Sequence, residues 1–261
     1  DFNFTKMKFD IIIHAASIAS PTFYRKFPLE TCDANVYGLR KILEYGKIKK
    51  KTSILFFSSS EIYGEPNKNN IPTKESYRGN VSCVGPRACY DESKRYCETL
   101  CYIYAKYFNV SVKVVRPFNN YGPGLKIKDG RAPADFANSI TNKKDIILYS
   151  NGKATRSFCY ISDSCIGYIN VLPLKKYVVL NIGNNQEISI LALAKLYRKI
   201  GKKFFNYNKS LRYKKSKDVN YNVDSPNRRC PDINLAKKII QFKPSIKIEN
   251  GIKRYLEFLN N

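Results

Sequence analysis

The 261 residues contain no tryptophan, one methionine and one histidine. With His14 as the sole histidine and no Cys-x-x-Cys pair among the eight cysteines, no zinc-ligand set of the usual spacing exists. No metal is therefore expected, and unpaired cysteines of this kind suit a reducing, cytoplasmic setting. Long apolar runs are missing too, which excludes a helix of the ~20 apolar residues that crossing a membrane requires. Acidic residues are scarce: 21 Asp and Glu stand against 46 Lys and Arg, a formal charge of +25. Such a balance points in general to nucleic acid or another acidic surface. Here the basic residues are scattered, without an aromatic-interleaved patch or a nucleic-acid motif. A compositional bias accounts for the charge, and no nucleic-acid partner is expected.

The absence with the largest consequence is a glycine-rich turn. None of the thirteen glycines falls in a G-x-G-x-x-G or G-x-x-G-x-x-G pattern, on which a dinucleotide pyrophosphate would sit. Yet Asp10-Ile11-Ile12-Ile13 already reads as a buried strand, ending in His14-Ala15-Ala16-Ser17.

Beyond this strand, helix and strand signals alternate. Val36, Leu39, Ile42 and Leu43 recur at helical spacing between Asp33 and Gly46, and Ile54-Leu55-Phe56-Phe57 is a short apolar strand. Pro66 to Gly85 is polar and turn-rich, a helix runs from Tyr90 to about Tyr107, and Ser111–Arg116 alternates as a strand. Further helices are expected at Pro133–Asn142, after a Ser162 or Asp163 cap, at Ile188–Ile200 and at Glu249–Leu259, with a strand at Val178–Ile182. The basic run Lys209–Lys217 reads as a solvated loop. No internal repeat appears. The length allows a full core in one or two domains, and the alternation predicts an α/β, Rossmann-like doubly wound parallel sheet.

Hydroxyls of Ser58, Ser59 and Ser60 come directly after the Ile54–Phe57 strand, where ligands of an open parallel sheet bind. Tyr90 and Lys94, four apart, share one helix face. A phenol working as a base at neutral pH needs its pKa lowered by about three units, roughly 4 kcal/mol, which an adjacent ammonium and a cationic cofactor can supply. The spacing alone is weak, since Tyr37/Lys41, Tyr45/Lys49 and Tyr102/Lys106 repeat it.

Context singles out Tyr90. Ser59-Ser60-Glu61-Ile62-Tyr63-Gly64, followed by Gly85-Pro86-Arg87-Ala88-Cys89-Tyr90-Asp91-Glu92-Ser93-Lys94-Arg95, resembles the extended short-chain dehydrogenase/reductase family of nucleotide-sugar enzymes. The resemblance is closer still to its UDP-glucuronate decarboxylase branch, with Thr-Ser-Glu-Val-Tyr-Gly and Gly-Pro-Arg-x-Cys-Tyr-Asp-Glu-x-Lys-Arg, and it runs over essentially the whole chain. It implies an enzyme, an NAD-dependent nucleotide-sugar lyase, with Ser59, Glu61, Tyr90, Lys94 and Arg156 as catalytic residues. NAD would lie against His14, Ala15, Ala16, Asn35, Ser58, Tyr90 and Lys94. The nucleotide sugar, UDP-glucuronate by preference, would meet Ser60, Asn119, Arg131, Tyr149, Arg156 and Arg229.

Here Phe118-Asn119-Asn120-Tyr121-Gly122-Pro123-Gly124 would mark the passage to the substrate domain, and Arg229-Cys230-Pro231-Asp232 would match a diphosphate-gripping Arg-x-Pro-Asp motif. Residues 1–122 would form the NAD-binding domain without its first strands, with 161–184 returning to it. Residues 123–160 and 185–261 would bind the nucleotide sugar. An amino-terminal truncation is expected on the same grounds, so that the chain alone would not retain NAD. The resemblance also implies a homodimer through the Tyr90 helix, where Tyr96, Leu100, Tyr104 and Tyr107 recur at helical spacing. A 4,6-dehydratase and a 4-epimerase are the alternative activities.

Overall fold

The computed structural model describes residues 6–127, 129–216, 218–220 and 223–261. From the amino end come β1 (Ile11–His14), α1 (Pro21–Lys26), α2 (Pro28–Ile48), β2 (Ser53–Phe57), α3 (Ala88–Phe108), β3 (Val112–Pro117) and β4 (Asn120–Tyr121). Next are α4 (Ala132–Thr141), β5 (Ile146–Leu148), β6 (Thr155–Ser157), β7 (Cys159–Tyr160), α5 (Ile161–Val171) and β8 (Val179–Ile182). The chain closes with β9 (Glu187–Ser189), α6 (Ile190–Phe204), β10 (Leu211–Tyr213), β11 (Arg228–Arg229), α7 (Asn234–Ile240) and α8 (Ile248–Asn260).

Four parallel strands in the order β1-β2-β3-β8 form the main sheet. Alternation along β2 decides which helices cover which face. Ile54 and Phe56 point to one side, where Leu39 and Leu43 of α2 and Cys97, Leu100 and Tyr104 of α3 pack on them. Leu55 points to the other, against Tyr168 and Val171 of α5 and Ala236 and Ile240 of α7. Covered on both faces, β2 reads as a continuous apolar run, whereas β3 carries Lys113 and Arg116 among its valines. β1 forms an edge of this sheet, with Ile11 and Ile13 about half exposed. A separate core gathers α4, α6 and α8 around β5, built from Phe136, Ile140, Leu193, Tyr197, Ile252 and Tyr255 among others. The α/β, Rossmann-like architecture expected from the alternation is the one observed.

Three expectations need correction. The second helix starts at Pro28, not Asp33, because proline suits the first helical position, where its missing N–H would be unpaired anyway. A short helix, α1, also opens on a proline and was not foreseen. Within the basic run, Leu211–Tyr213 is a strand paired in parallel with Ile146–Leu148, so backbone pairing overrides the solvated character of its side chains; Lys217 lies outside the described residues. Finally, Ser162 and Asp163 do not cap α5, whose N-cap is Tyr160 without a side-chain bond. Asp163 instead accepts from the backbone N–H groups of Ser245 and Ile246 at 3.0 and 2.9 Å, tying the chain's return to α5.

Candidate active site

The site begins where β2 ends. Ser59 is extended (φ −157°) and caps a tight turn, Ser60–Tyr63, its Oγ accepting from the Glu61 N–H at 3.2 Å. Gly64 ends that turn at φ +58°, and a Cβ there would stand 1.8 Å from the Asn80 carbonyl oxygen, so only glycine fits. The turn thereby holds the Glu61 carboxylate toward a cavity of about 430 Å³.

Helix α3 brings Tyr90 beside Ser59 and Glu61. Its ring is buried and stacks on Tyr24 of α1, with centroids 5.1 Å apart and planes 14° from parallel. Burial pushes the phenol pKa up to about 12; Glu61 and Asp91 add to this, while the facing Ser59 hydroxyl and Arg131 pull the other way. Lys94, one turn on, donates its ammonium to the Phe57 carbonyl at 2.8 Å and stands 5.7 Å from the Tyr90 ring centroid. Burial lowers its pKa to about 8.

Two arginines converge on Glu61. Arg87, just ahead of α3, pairs with Oε2, and Arg229 of β11 pairs with Oε1. Burial opposes the charge on Glu61, but Arg229 and Arg87 outweigh it and hold the carboxyl at about 2. Strand β11 runs parallel to β6 with Arg229 opposite Arg156, so two like charges share one cross-strand pair. Arg156 donates to the Thr155 carbonyl at 2.7 Å and to Ser225 Oγ at 3.1 Å. Among the described residues it pairs with no carboxylate. Burial, with the like charge of Arg229 beside it, brings the Arg156 pKa down to about 10.

Asn119, Arg131, Tyr149 and Arg156 all line the cavity, as do Glu61 and Arg229. Asn119 adopts φ +41° and donates to the Ser157 carbonyl at 3.0 Å; Arg131 is held by Asp129. Ser60 is buried within the turn. Of the residues expected to face a cofactor, Ser58 donates to Glu98, and Asn35 donates to Ser93 Oγ at 2.8 Å. His14 is buried, and burial, with Lys94 next, lowers its pKa to about 4; Ala15 and Ala16 are exposed beyond the end of β1. Ser58, Asn35, His14 and the two alanines stand outside the cavity wall, and so do Ser59, Ser60, Tyr90 and Lys94, so of the expected catalytic residues only Glu61 and Arg156 line the cavity itself.

The model of the NAD-dependent epimerase/dehydratase family matches residues 2–183. The chain belongs to that family. UDP-glucuronic acid decarboxylase 3 of Arabidopsis thaliana is 36% identical over 93% of this chain and 68% of its own length. UDP-glucuronic acid decarboxylase 1 of Xenopus tropicalis is 34% identical, over 95% of this chain and 56% of its own. This chain thus spans between about half and two thirds of these relatives. Among solved structures, the UDP-glucuronic acid 4-epimerase of Bacillus cereus, crystallised with UDP-glucuronic acid and NAD, superposes with a TM-score of 0.81 at 25% identity, covering 99% of this chain and 78% of that one.

Membership of the epimerase/dehydratase family raises the fit of a nicotinamide cofactor. The polar atoms Asn35 Oδ1 and Ser17 Oγ, near the carboxyl end of β1, are buried without a partner among the described residues, and Tyr90 and Lys94 stand at the end of the neighbouring strand β2. That set fits the nicotinamide ribose end of NAD. Two residues of the site were not singled out from sequence. Arg87 lay in plain view in the Gly-Pro-Arg motif, but only the fold brings it to Glu61. Tyr24 had no local signal at all.

Proposed function

We propose that the chain acts in the NAD-dependent conversion of UDP-glucuronate to UDP-xylose, through a 4-keto intermediate with release of carbon dioxide. The observation that carries this reading is Arg156, a half-buried cation without a carboxylate partner among the described residues, set beside the Arg229–Glu61 pair in the cavity wall. Such a surplus of positive charge calls for an anionic substrate group, and the bidentate fork of arginine suits a carboxylate. The decarboxylase relatives support the same substrate.

NAD, when bound, accepts the C4 hydride and later returns it, so it is not consumed. Tyr90 takes the proton of the sugar 4-hydroxyl, and Ser59 holds that oxygen by a hydrogen bond. Lys94 lowers the cost of the phenolate and holds the nicotinamide ribose with Ser58. Once C4 is a ketone, the C6 carboxylate is β to it and leaves as carbon dioxide, the ketone oxygen taking the electrons. The resulting enolate takes a proton at C5 from water, which the ionised Glu61 would orient. Arg156 and Arg229 orient the carboxylate and the diphosphate, and Asn119, Arg131 and Tyr149 complete the substrate wall. A 4,6-dehydratase would need an acid beside Glu61 to expel the 6-hydroxyl, whereas Ser60 is a far weaker acid. A 4-epimerase would leave Glu61 and its arginines without a task. We also propose a homodimer, joined through the outer face of α2 and α3, and a cytoplasmic setting.

Calorimetry tests the carboxylate assignment. UDP-glucuronate should bind at least about tenfold more tightly than UDP-glucose, a difference of ~1.4 kcal/mol. Arg156→Gln should erase most of that preference. Equal affinities for the acid and the neutral sugar would sink the reading.

A further inference from the structure

Arg87 does not serve Glu61 alone. Its Nε lies 3.6 Å from Asp91 Oδ2, one helical turn along α3, while its Nη2 pairs with Glu61. Asp91 is 5% exposed, and its other oxygen, Oδ1, is buried without a hydrogen-bond partner among the described residues. A buried ionised carboxylate with one oxygen unsatisfied is costly, so the group has reason to remain neutral. Asp91 also lines a second cavity of about 250 Å³, together with Glu65, Asn80, Ser82, Arg87 and Asp224. Arg87 is common to both cavities, whereas Asp91 belongs only to the second.

We propose that Asp91 is a positioning residue that acts on Glu61 through Arg87: neutral, it leaves the guanidinium to Glu61; charged, it competes for it. The proposal rests on the placement of Glu61 at the reacting end of the substrate. Its proton exchanges with solvent through the second cavity, so substrate in the first does not block it. The groups facing Asp91 are Arg87, Cys89 and Tyr90 at the start of its own helix, Tyr24 on α1, Glu61 on the turn, Arg229 on β11 and the carboxylates of Glu65 and Asp224 across the second cavity. Burial, then the charge of Glu61, raises the Asp91 pKa to about 7, Arg87 and Arg229 only partly offsetting them. Of the two carboxyls, Asp91 is therefore the one that takes up a proton first, while Glu61 stays ionised. An ionised Asp91 also opposes the Tyr90 phenolate, since its charge raises the phenol pKa.

The test is a titration of isotope-labelled carboxyl resonances in the chain itself, with Asp91→Asn and Arg87→Lys alongside. In the unsubstituted chain one aspartate should titrate near pH 7, and the Glu61 resonance should show a step at that same pH. Asp91→Asn should abolish the step, and Arg87→Lys should shrink it. Turnover of UDP-glucuronate against pH should carry an inflection at the same position, absent in Asp91→Asn. A Glu61 resonance flat through the Asp91 titration, or a step that survives Asp91→Asn, overturns the proposal. Should Asp91→Asn fail to fold, the unsubstituted chain and Arg87→Lys still decide it. Absence of turnover at every pH, with the Glu61 step present, would instead count against the proposed reaction.

Discussion

Tyr90 has a phenol held well above neutrality by its own burial, yet its proposed task is to lose a proton. The groups that can reverse this are within reach: the Ser59 hydroxyl, the Lys94 ammonium one turn along, and the positive charge of an oxidised nicotinamide. Lys94 is tied to the Phe57 carbonyl, one residue before Ser58. Removing the phenolic oxygen should therefore remove the base and little else. Tyr90→Phe is expected to lower kcat by roughly 10²–10⁴-fold while nucleotide-sugar affinity stays nearly constant. Steady-state kinetics paired with calorimetry checks this, and a variant that kept most of its turnover would move the base elsewhere. At this scale the sequence was legible where chemistry is local. Tyr90, Lys94, Ser59 and Glu61 sit in two short motifs, and the fold gathers these four side chains near the end of β2. Arg87 was in the same motif but acquires its role from Glu61, 26 residues away, and Arg229 from the same carboxylate across 168 residues. Neither pairing has a local signal.

Among the elements, the β2 strand and the α3 helix were readable from their hydrophobic period, because burial on both sheet faces and on one helix stripe writes that period into the chain. The short strands were not. β6 and β11 are three and two residues long, and their pairing, which puts Arg156 opposite Arg229, depends on tertiary register alone. The helix pair α2–α3 shows the same limit. Of the four residues expected on its outer surface, Leu100 and Tyr104 are buried in the core, Tyr104 donating to Glu44, whereas Tyr96 and Tyr107 are exposed. Tyr37 of α2 and Tyr102 of α3 are exposed as well, at 66% and 48%. If two copies join through this face, the chain should sediment as a dimer at micromolar concentration, and Tyr37→Glu with Tyr107→Glu should shift it to monomer. A monomer before substitution would remove the proposed homodimer.

For the whole molecule, the cavity brings together side chains from the ends of the main sheet and from the segments beyond it: Glu61 from the end of β2, Arg87 ahead of α3, Asn119 after β3, Arg156 and Arg229 from the paired strands β6 and β11. Five arginines, Arg25, Arg87, Arg131, Arg156 and Arg229, line it against the carboxylates Glu61, Asp135 and Asp218, which leaves a positive excess where an anionic nucleotide sugar would enter. The formal charge of +25 is thus general in origin but locally useful. The proposed reaction turns on the fate of the C6 carboxylate, and one assay reads it directly. The protein, supplied with NAD, is incubated in parallel with C6-labelled UDP-glucuronate, UDP-glucose and dTDP-glucose. Labelled carbon dioxide and UDP-xylose should appear in equal amounts from UDP-glucuronate alone, with no net reduction of NAD. A 4-keto-6-deoxy product from either neutral sugar, or epimerised UDP-glucuronate with its label retained, would contradict the decarboxylase reading.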